Sequence, residues 1–266
     1  MSQNKKNLAM LCDYGLDDAI ATLYIFRYAH MFGKIDILPV AGNFPKNEVF
    51  INAKRIASHC EKLPPSVRIV DTSCISQPEE SLPYIHGSDG MGDVIPASFE
   101  ERVPVISYSD WLGELDETYT VLSLGPCTVT EEILKAKGCL PLVMMAGNIT
   151  EPPNYNGYEF NHGLNTKAFS YCVKYPHAAA TLDSCHCYPC DLNHIEITGD
   201  DLFAQFSRRY QELSNGRNEA ACYVYDLTAA VYVVHPDRFI IEEKTDKDNN
   251  TVSVLKYVSD KNILTD

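Results

Sequence analysis

Three aspartates, Asp13, Asp17 and Asp18, fall within six positions of the stretch MLCDYGLDDAIATL, directly after an apolar run. Carboxylates held this close repel one another unless a cation or a proton sits among them. Oxygen-only ligands suit a hard divalent ion, calcium or magnesium. A simpler account covers Asp17 or Asp18 singly, since acids in the first turn of a helix complement its dipole and cap free amides. It does not ask for Asp13 as well. Asn43, Leu124 and Asn148 occupy similar places, each just after a short apolar run.

The elements that must position these residues follow from the pattern around them. NLAML, residues 7–11, reads as a strand, AIATLYIFRYAHMF as a helix, and Gly15 permits the sharp turn between. The alternation recurs: DILPVAGN then NEVFINAKRIASHC, YTVLSLGP then TVTEEILKAK, and later LPLVMMAGN. It predicts an α/β fold with an open, mostly parallel central sheet flanked by helices, as a single domain over 1–266. In such sheets ligands collect beyond the carboxyl ends of the strands. Residues 77–96 and 149–163, rich in Gly, Pro and Asn, are the expected binding loops.

Composition narrows the partners. Acidic residues exceed basic ones by 36 to 22, a formal charge of -14. That argues against a nucleic-acid polymer, whose binding rests on cationic contacts to phosphate. An isolated nucleoside carries no phosphate and stays open. The first residues are too poor in apolar side chains for a signal peptide or a membrane span, so a cytoplasmic protein with no membrane partner is expected. Ten cysteines lie mostly in apolar contexts and read as reduced core residues. In SCHCYPC, Cys185, Cys187 and Cys190 with His186 or His194 offer a zinc reading, but no second C-x-x-C or H-x-H accompanies them. A group of free thiols is the alternative.

LCDYGLDDAIATL resembles the aspartate-rich N-terminal signature of the nucleoside N-ribohydrolase family, of the inosine-uridine preferring type. Six further blocks follow in the family's order: PVAGNFPKNEVFINAKRIA, HGSDGMGD, LSLGPCTVTEEI, VMMAGN, YEFNHGLNTKAF and YDLTAAVYVVHPDRF. The resemblance implies a calcium site of Asp13, Asp18, the backbone carbonyl of Leu124, and Asp226. It implies that Asp13 activates the attacking water, and that Asp17, Asn43, Glu159 and Asn161 hold the ribose hydroxyls. Asn154 or Asn156 matches a further asparagine, the spacing leaving the choice open. Cleaving an N-glycosidic bond builds an oxocarbenium-like transition state, which an acid-rich pocket suits.

The chain also departs from the pattern. Leu11 stands where the family has the first aspartate of its signature, Cys12 and Tyr14 replace Thr and Pro, and Ala146 replaces a glycine. Tyr225 stands where many members have a histidine that protonates the departing base. It is similar to the aromatic position of purine-specific members, where with Tyr84 it would stack a purine; His86 is the other candidate proton donor. After Phe239 the sequence reads as a hairpin turning at DKDNN, where the family carries a further helix.

The expected activity is hydrolysis of ribonucleosides, purine or modified purine favoured, to ribose and base by calcium-activated water, in a homodimer or homotetramer. The rival from another class is a nucleoside- or ribose-binding protein with a retained metal site and little turnover. An aspartate-nucleophile phosphohydrolase would need D-x-D, which DYGLDD lacks.

Overall fold

The computed structural model describes residues 5–186, 191–259 and 261. Strand β1 (Lys6–Cys12) shows why a parallel sheet forms. Leu8, Met10 and Cys12 enter one buried apolar cluster and Ala9 and Leu11 the other, so both faces of the strand are covered. A strand buried on both sides reads as a continuous apolar run. Strands β5 (Tyr119–Ser123) and β6 (Leu142–Met145) divide their side chains in the same period-two way.

With β2 (Phe32–Pro39), β3 (Val67–Asp71), β4 (Val105–Ser107), β7 (His177–Ala180), β8 (Phe239–Thr245) and β9 (Thr251–Tyr257), these form one nine-stranded sheet. Its order is β4-β3-β2-β1-β5-β6-β7-β9-β8, and every pairing is parallel except β8 with β9. The expected α/β class and the C-terminal hairpin are therefore both present.

Helices α1 (Leu16–Arg27), α2 (Lys46–His59), α9 (Leu202–Gly216) and α10 (Tyr225–Val234) cover one face. Helices α4 (Tyr108–Glu114), α5 (Thr128–Lys137) and α7 (Thr166–Cys172) cover the other. Two short helices lie in the segments expected to be loops: α3 (Pro83–His86) within 77–96, and α6 (Phe160–Leu164) at the end of 149–163. A further turn of helix, α8 (Leu182–Cys185), follows β7.

One buried charge is explained entirely by its neighbours. Asp36 on β2 accepts from Arg68 through both oxygens (2.7 and 3.0 Å), from Trp111 Nε1 (3.0 Å) and from the Tyr119 hydroxyl (2.8 Å). Such satisfaction is what allows a carboxylate into a core. Among the described residues, Cys12, Cys60, Cys127, Cys172 and Cys222 are buried free thiols, Cys74 and Cys139 are exposed, and Cys185 is buried with its Sγ donating to the Tyr225 carbonyl at 3.5 Å. Cys187 and Cys190 lie outside the described residues. Among the described residues no helix is long and apolar enough to cross a membrane.

Candidate active site

The carboxyl ends of the central strands open into a cleft of about 680 Å³, solvent at its mouth included. Asp13 follows β1, Asn43 follows β2, Leu124 follows β5, and Met145 closes β6; all four line it. Glu159 and Asn161 reach it from the start of α6, and Tyr225 and Asp226 from the start of α10. The first turn of α1 supplies Asp17.

The turn from β1 into α1 is held by its own acids. Asp18 accepts from the backbone amides of Asp13 (3.1 Å) and Gly15 (2.9 Å). Between them Tyr14 adopts φ 40°, unusual for a residue with a side chain, while its ring is fully buried. Such a backbone costs on the order of 1–3 kcal/mol and persists only where its surroundings hold it. A Cβ on Gly15 would meet the His86 ring at 2.6 Å, so only glycine leaves room for that histidine. Leu11 is also fully buried on β1, in the apolar layer beneath α5 and α7; a leucine suits that position where an acid would need a partner.

Carboxylate oxygens of Asp17, Asp18 and Asp226 lie within 4.8 Å of one another, all three residues buried. Asp13 lines the same cleft outside that trio, its Oδ2 accepting from the Asn43 amide (2.8 Å) and its Oδ1 from Asn43 Nδ2 (3.0 Å). Burial pushes the Asp13 carboxyl from 3.8 to about 7, against the pull of these hydrogen bonds. Asp18 and Asp226 are driven up too, by burial first and then by neighbouring carboxylates. Asp17 Oδ1 is buried with no hydrogen-bond partner among the described residues. Crowded acids, an unsatisfied oxygen and an all-oxygen donor set fit a hard divalent cation.

Asn161 ties the far wall together. Its Nδ2 donates to the carbonyls of Leu124 (2.8 Å) and Met145 (2.9 Å), while its buried Oδ1 has no partner among the described residues. Glu159 caps α6, accepting from the amides of Gly147 (2.8 Å), Asn161 (2.9 Å) and His162 (3.0 Å). Burial nonetheless raises its carboxyl from 4.5 to about 7. Asn148 serves the loop, its Oδ1 accepting from the Glu159 amide at 3.0 Å.

The rim is aromatic. Tyr84 is 67% exposed, Tyr225 is half-buried, and burial raises the Tyr225 hydroxyl well above its ordinary value. His86 is buried, its Nδ1 accepting from the Leu16 amide (3.1 Å) and standing 3.8 Å from Asp17 Oδ1. The proton of a neutral ring therefore sits on Nε2, and burial depresses the pKa of this imidazole. Asn154 lines the cleft and Asn156 is not among its lining residues. Tyr155 and Tyr210, which no motif announces, also line it. Tyr155 donates to Glu80 (2.5 Å) and Tyr210 to the Tyr223 carbonyl (3.2 Å), bonds that no local pattern announces.

Comparison with known structures finds the same fold in several proteins. A purine-preferring ribonucleoside hydrolase from Gardnerella vaginalis shares 20% identity at a TM-score of 0.70, over 96% of this chain and 93% of that one. An inosine-guanosine nucleoside hydrolase shares 17% at 0.66, over 96% and 89%. The type III effector protein XopQ, complexed with adenosine diphosphate ribose, shares 10% at 0.68, over 96% and 89%. Comparison by sequence with curated proteins finds no match. The sequence profile of the inosine-uridine preferring nucleoside hydrolases matches residues 9–261.

The acid-floored cleft at the carboxyl edge of the sheet thus belongs to an N-ribohydrolase, an enzyme that hydrolyses the N-glycosidic bond of nucleosides, from a metal-dependent family. The chain is a member of the inosine-uridine preferring nucleoside hydrolase family.

Proposed function

We propose that this enzyme releases the base from purine or modified purine ribonucleosides, with calcium at the acid floor of the cleft. The observation that carries the reading is the convergence of Asp17, Asp18 and Asp226 beside the Asp13–Asn43 clamp, with Asp18 buried behind the cleft that Asp17, Asp226, Glu159 and Asn161 line. Asp18, Asp226 and the Leu124 carbonyl would hold the ion with Asp13, and the closeness of Asp17 to the other two adds it to the candidates. When bound, calcium supplies a fixed charge that acidifies water and holds vicinal hydroxyls.

The remaining roles belong to the chain itself. Asp13, its plane fixed by the Asn43 clamp, accepts the proton of the attacking water. Asn43, Asp17, Asn154, Glu159 and Asn161 orient the sugar, and the acids among them stabilise the positive charge that develops on it. Tyr225 and Tyr84 take the base between aromatic faces, with Tyr155 and Tyr210 completing the wall. The Nε2–H of the neutral His86 ring and the Tyr225 hydroxyl are the hydrogen-bond donors available to the leaving base. The purine preference draws on this aromatic rim and on the purine and inosine-guanosine hydrolases of the same fold. The buried free thiols support a reducing, cytoplasmic setting.

The test is base and reducing-sugar release from a panel of common and modified ribonucleosides with calcium present. Turnover of at least one purine ribonucleoside that is lost on chelation and in Asp13→Ala supports the reading. A second reading, a ribose- or nucleoside-binding protein with little turnover, draws on Leu11 and Tyr225 in place of the family's acid and histidine. Tight ribose binding without release from any member of the panel would establish it instead.

A further inference from the structure

Away from the cleft, the turn between β8 and β9 meets α6. There His162, Asp246 and Asp248 each offer one ligand atom, the three within 4.8 Å of one another. His162 is 1% exposed and Asp246 6%, while Asp248 is at the surface. Neither ring nitrogen of His162 has a hydrogen-bond partner among the described residues. Its Nε2 stops 3.8 Å from Asp248 Oδ2, too far for a hydrogen bond and close enough for a shared ion. The ring is fixed there, stacked on Phe169 at 3.8 Å between centroids and flanked by Tyr158 at 4.5 Å.

We propose that His162, Asp246 and Asp248 form a second metal site, separate from the cleft, that takes a first-row divalent cation such as zinc. The nitrogen donor sets it apart from the all-oxygen cluster of the cleft and favours zinc over calcium. Asp246 is oriented from outside, as metal-binding carboxylates usually are: its Oδ1 accepts from the amides of Asp248 (2.9 Å) and Asn250 (2.8 Å), and its Oδ2 from Asn250 Nδ2 (2.8 Å). Burial keeps the imidazole neutral, its pKa pushed down to about 4, so no proton competes for the ligating nitrogen. The nearby cation, Lys247, is engaged elsewhere, its Nζ 3.2 Å from the centroid of the Tyr158 ring and donating to the Gly157 carbonyl. His162 directly follows Asn161 and lies three residues after Glu159, so an ion here pins the hairpin turn to the helix that aims both residues into the cleft.

Calcium-saturated protein titrated with cobalt, then zinc, tests the site by visible absorption and calorimetry. We expect one equivalent of zinc, with cobalt bands lacking the intense near-ultraviolet absorption of thiolate ligation. Affinity should fall at least tenfold in Asp248→Asn and His162→Gln and be retained in Asp226→Asn. Asp248 is exposed, so its variant decides the matter if His162→Gln does not fold. No zinc uptake by the calcium-saturated protein, unchanged affinity in Asp248→Asn, loss in Asp226→Asn, or a thiolate spectrum abolished by Cys185→Ser would each overturn the assignment.

Discussion

Asn43 grips Asp13 at two points, its backbone amide on Oδ2 at 2.8 Å and its side-chain amide on Oδ1 at 3.0 Å. One residue thereby fixes the plane of the carboxylate assigned to the attacking water. Asn43→Ala removes the side-chain bond and keeps the backbone one. Hydrogen bonds to charged groups contribute about 1.5–3 kcal/mol, so kcat/KM is expected to fall roughly 10- to 150-fold. Asp13→Ala removes the base itself and is expected to cost about 10²- to 10⁴-fold or more in kcat. Steady-state kinetics on one purine ribonucleoside check the ranking; an unchanged kcat/KM in Asn43→Ala would show that the clamp is not an orienting device.

Gly42 lies against the same carboxylate. A Cβ there would sit 2.0 Å from Asp13 Oδ2, whereas a Cβ on Gly113 would meet nothing within 4 Å. Gly42→Ala should therefore lose most activity, and Gly113→Ala should behave as wild type. Melting temperatures taken beside the rates separate a displaced carboxylate from a fold that has failed.

Stability without metal should depend on pH in a direction set by the cleft. Asp13 and Glu159 have folded-state values of about 7 against ordinary values of 3.8 and 4.5, and Asp18 and Asp226 are raised as well. The folded protein then holds more protons than the unfolded chain, so these acids contribute stability fully below about pH 4 and lose it as pH rises through about 7. His162, lowered from 6.5 to about 4, acts the other way across the same window, and His86, also lowered, acts with it. Comparing calcium-loaded with chelated protein isolates the acids, because the ion binds their deprotonated forms. The rise in melting temperature on adding calcium is expected to grow from about pH 5.5 to about pH 8; a rise independent of pH would contradict the acid-floor reading.

Tyr225 distinguishes stacking from proton donation. Base–aromatic stacking is worth about 1–3 kcal/mol, so Tyr225→Ala should raise KM for purine ribonucleosides roughly 5- to 150-fold, and Tyr225→Phe should behave nearly as wild type. Should Tyr225→Phe lose kcat while Tyr225→His improves inosine hydrolysis, the hydroxyl rather than the ring face would be the working part.

The sheet was legible because its cause is local. Leu8, Met10 and Cys12 alternate with Ala9 and Leu11, and a strand buried on both faces announces itself as an apolar run ended by a glycine and acids. The acids of the first turn were legible for the same reason. Asp226 and the Leu124 carbonyl were not, since more than two hundred residues separate Asp13 from Asp226 and a carbonyl leaves no mark in residue type. The place of Leu124 after an apolar run marked the residue, but only the ordered likeness to a family gave its carbonyl and Asp226 a role. Tyr210 was hidden differently: it follows Phe203 and Phe206 at helical spacing, so its period reads as core, and it does join that core while also facing the cleft. Tyr155 depends on where an irregular segment runs, which its bond to the distant Glu80 helps decide.

With β1 fourth in the nine-strand order and Asp226 delivered by α10 against α1, the acid trio joins residues more than two hundred positions apart. A nascent fragment that stops short of α10 has two of the trio and no third, whatever else it has built. Capture of an ion by the trio would therefore report that α10 has docked against α1, a contact of long sequence separation, and mass action would stabilise only molecules that have reached it.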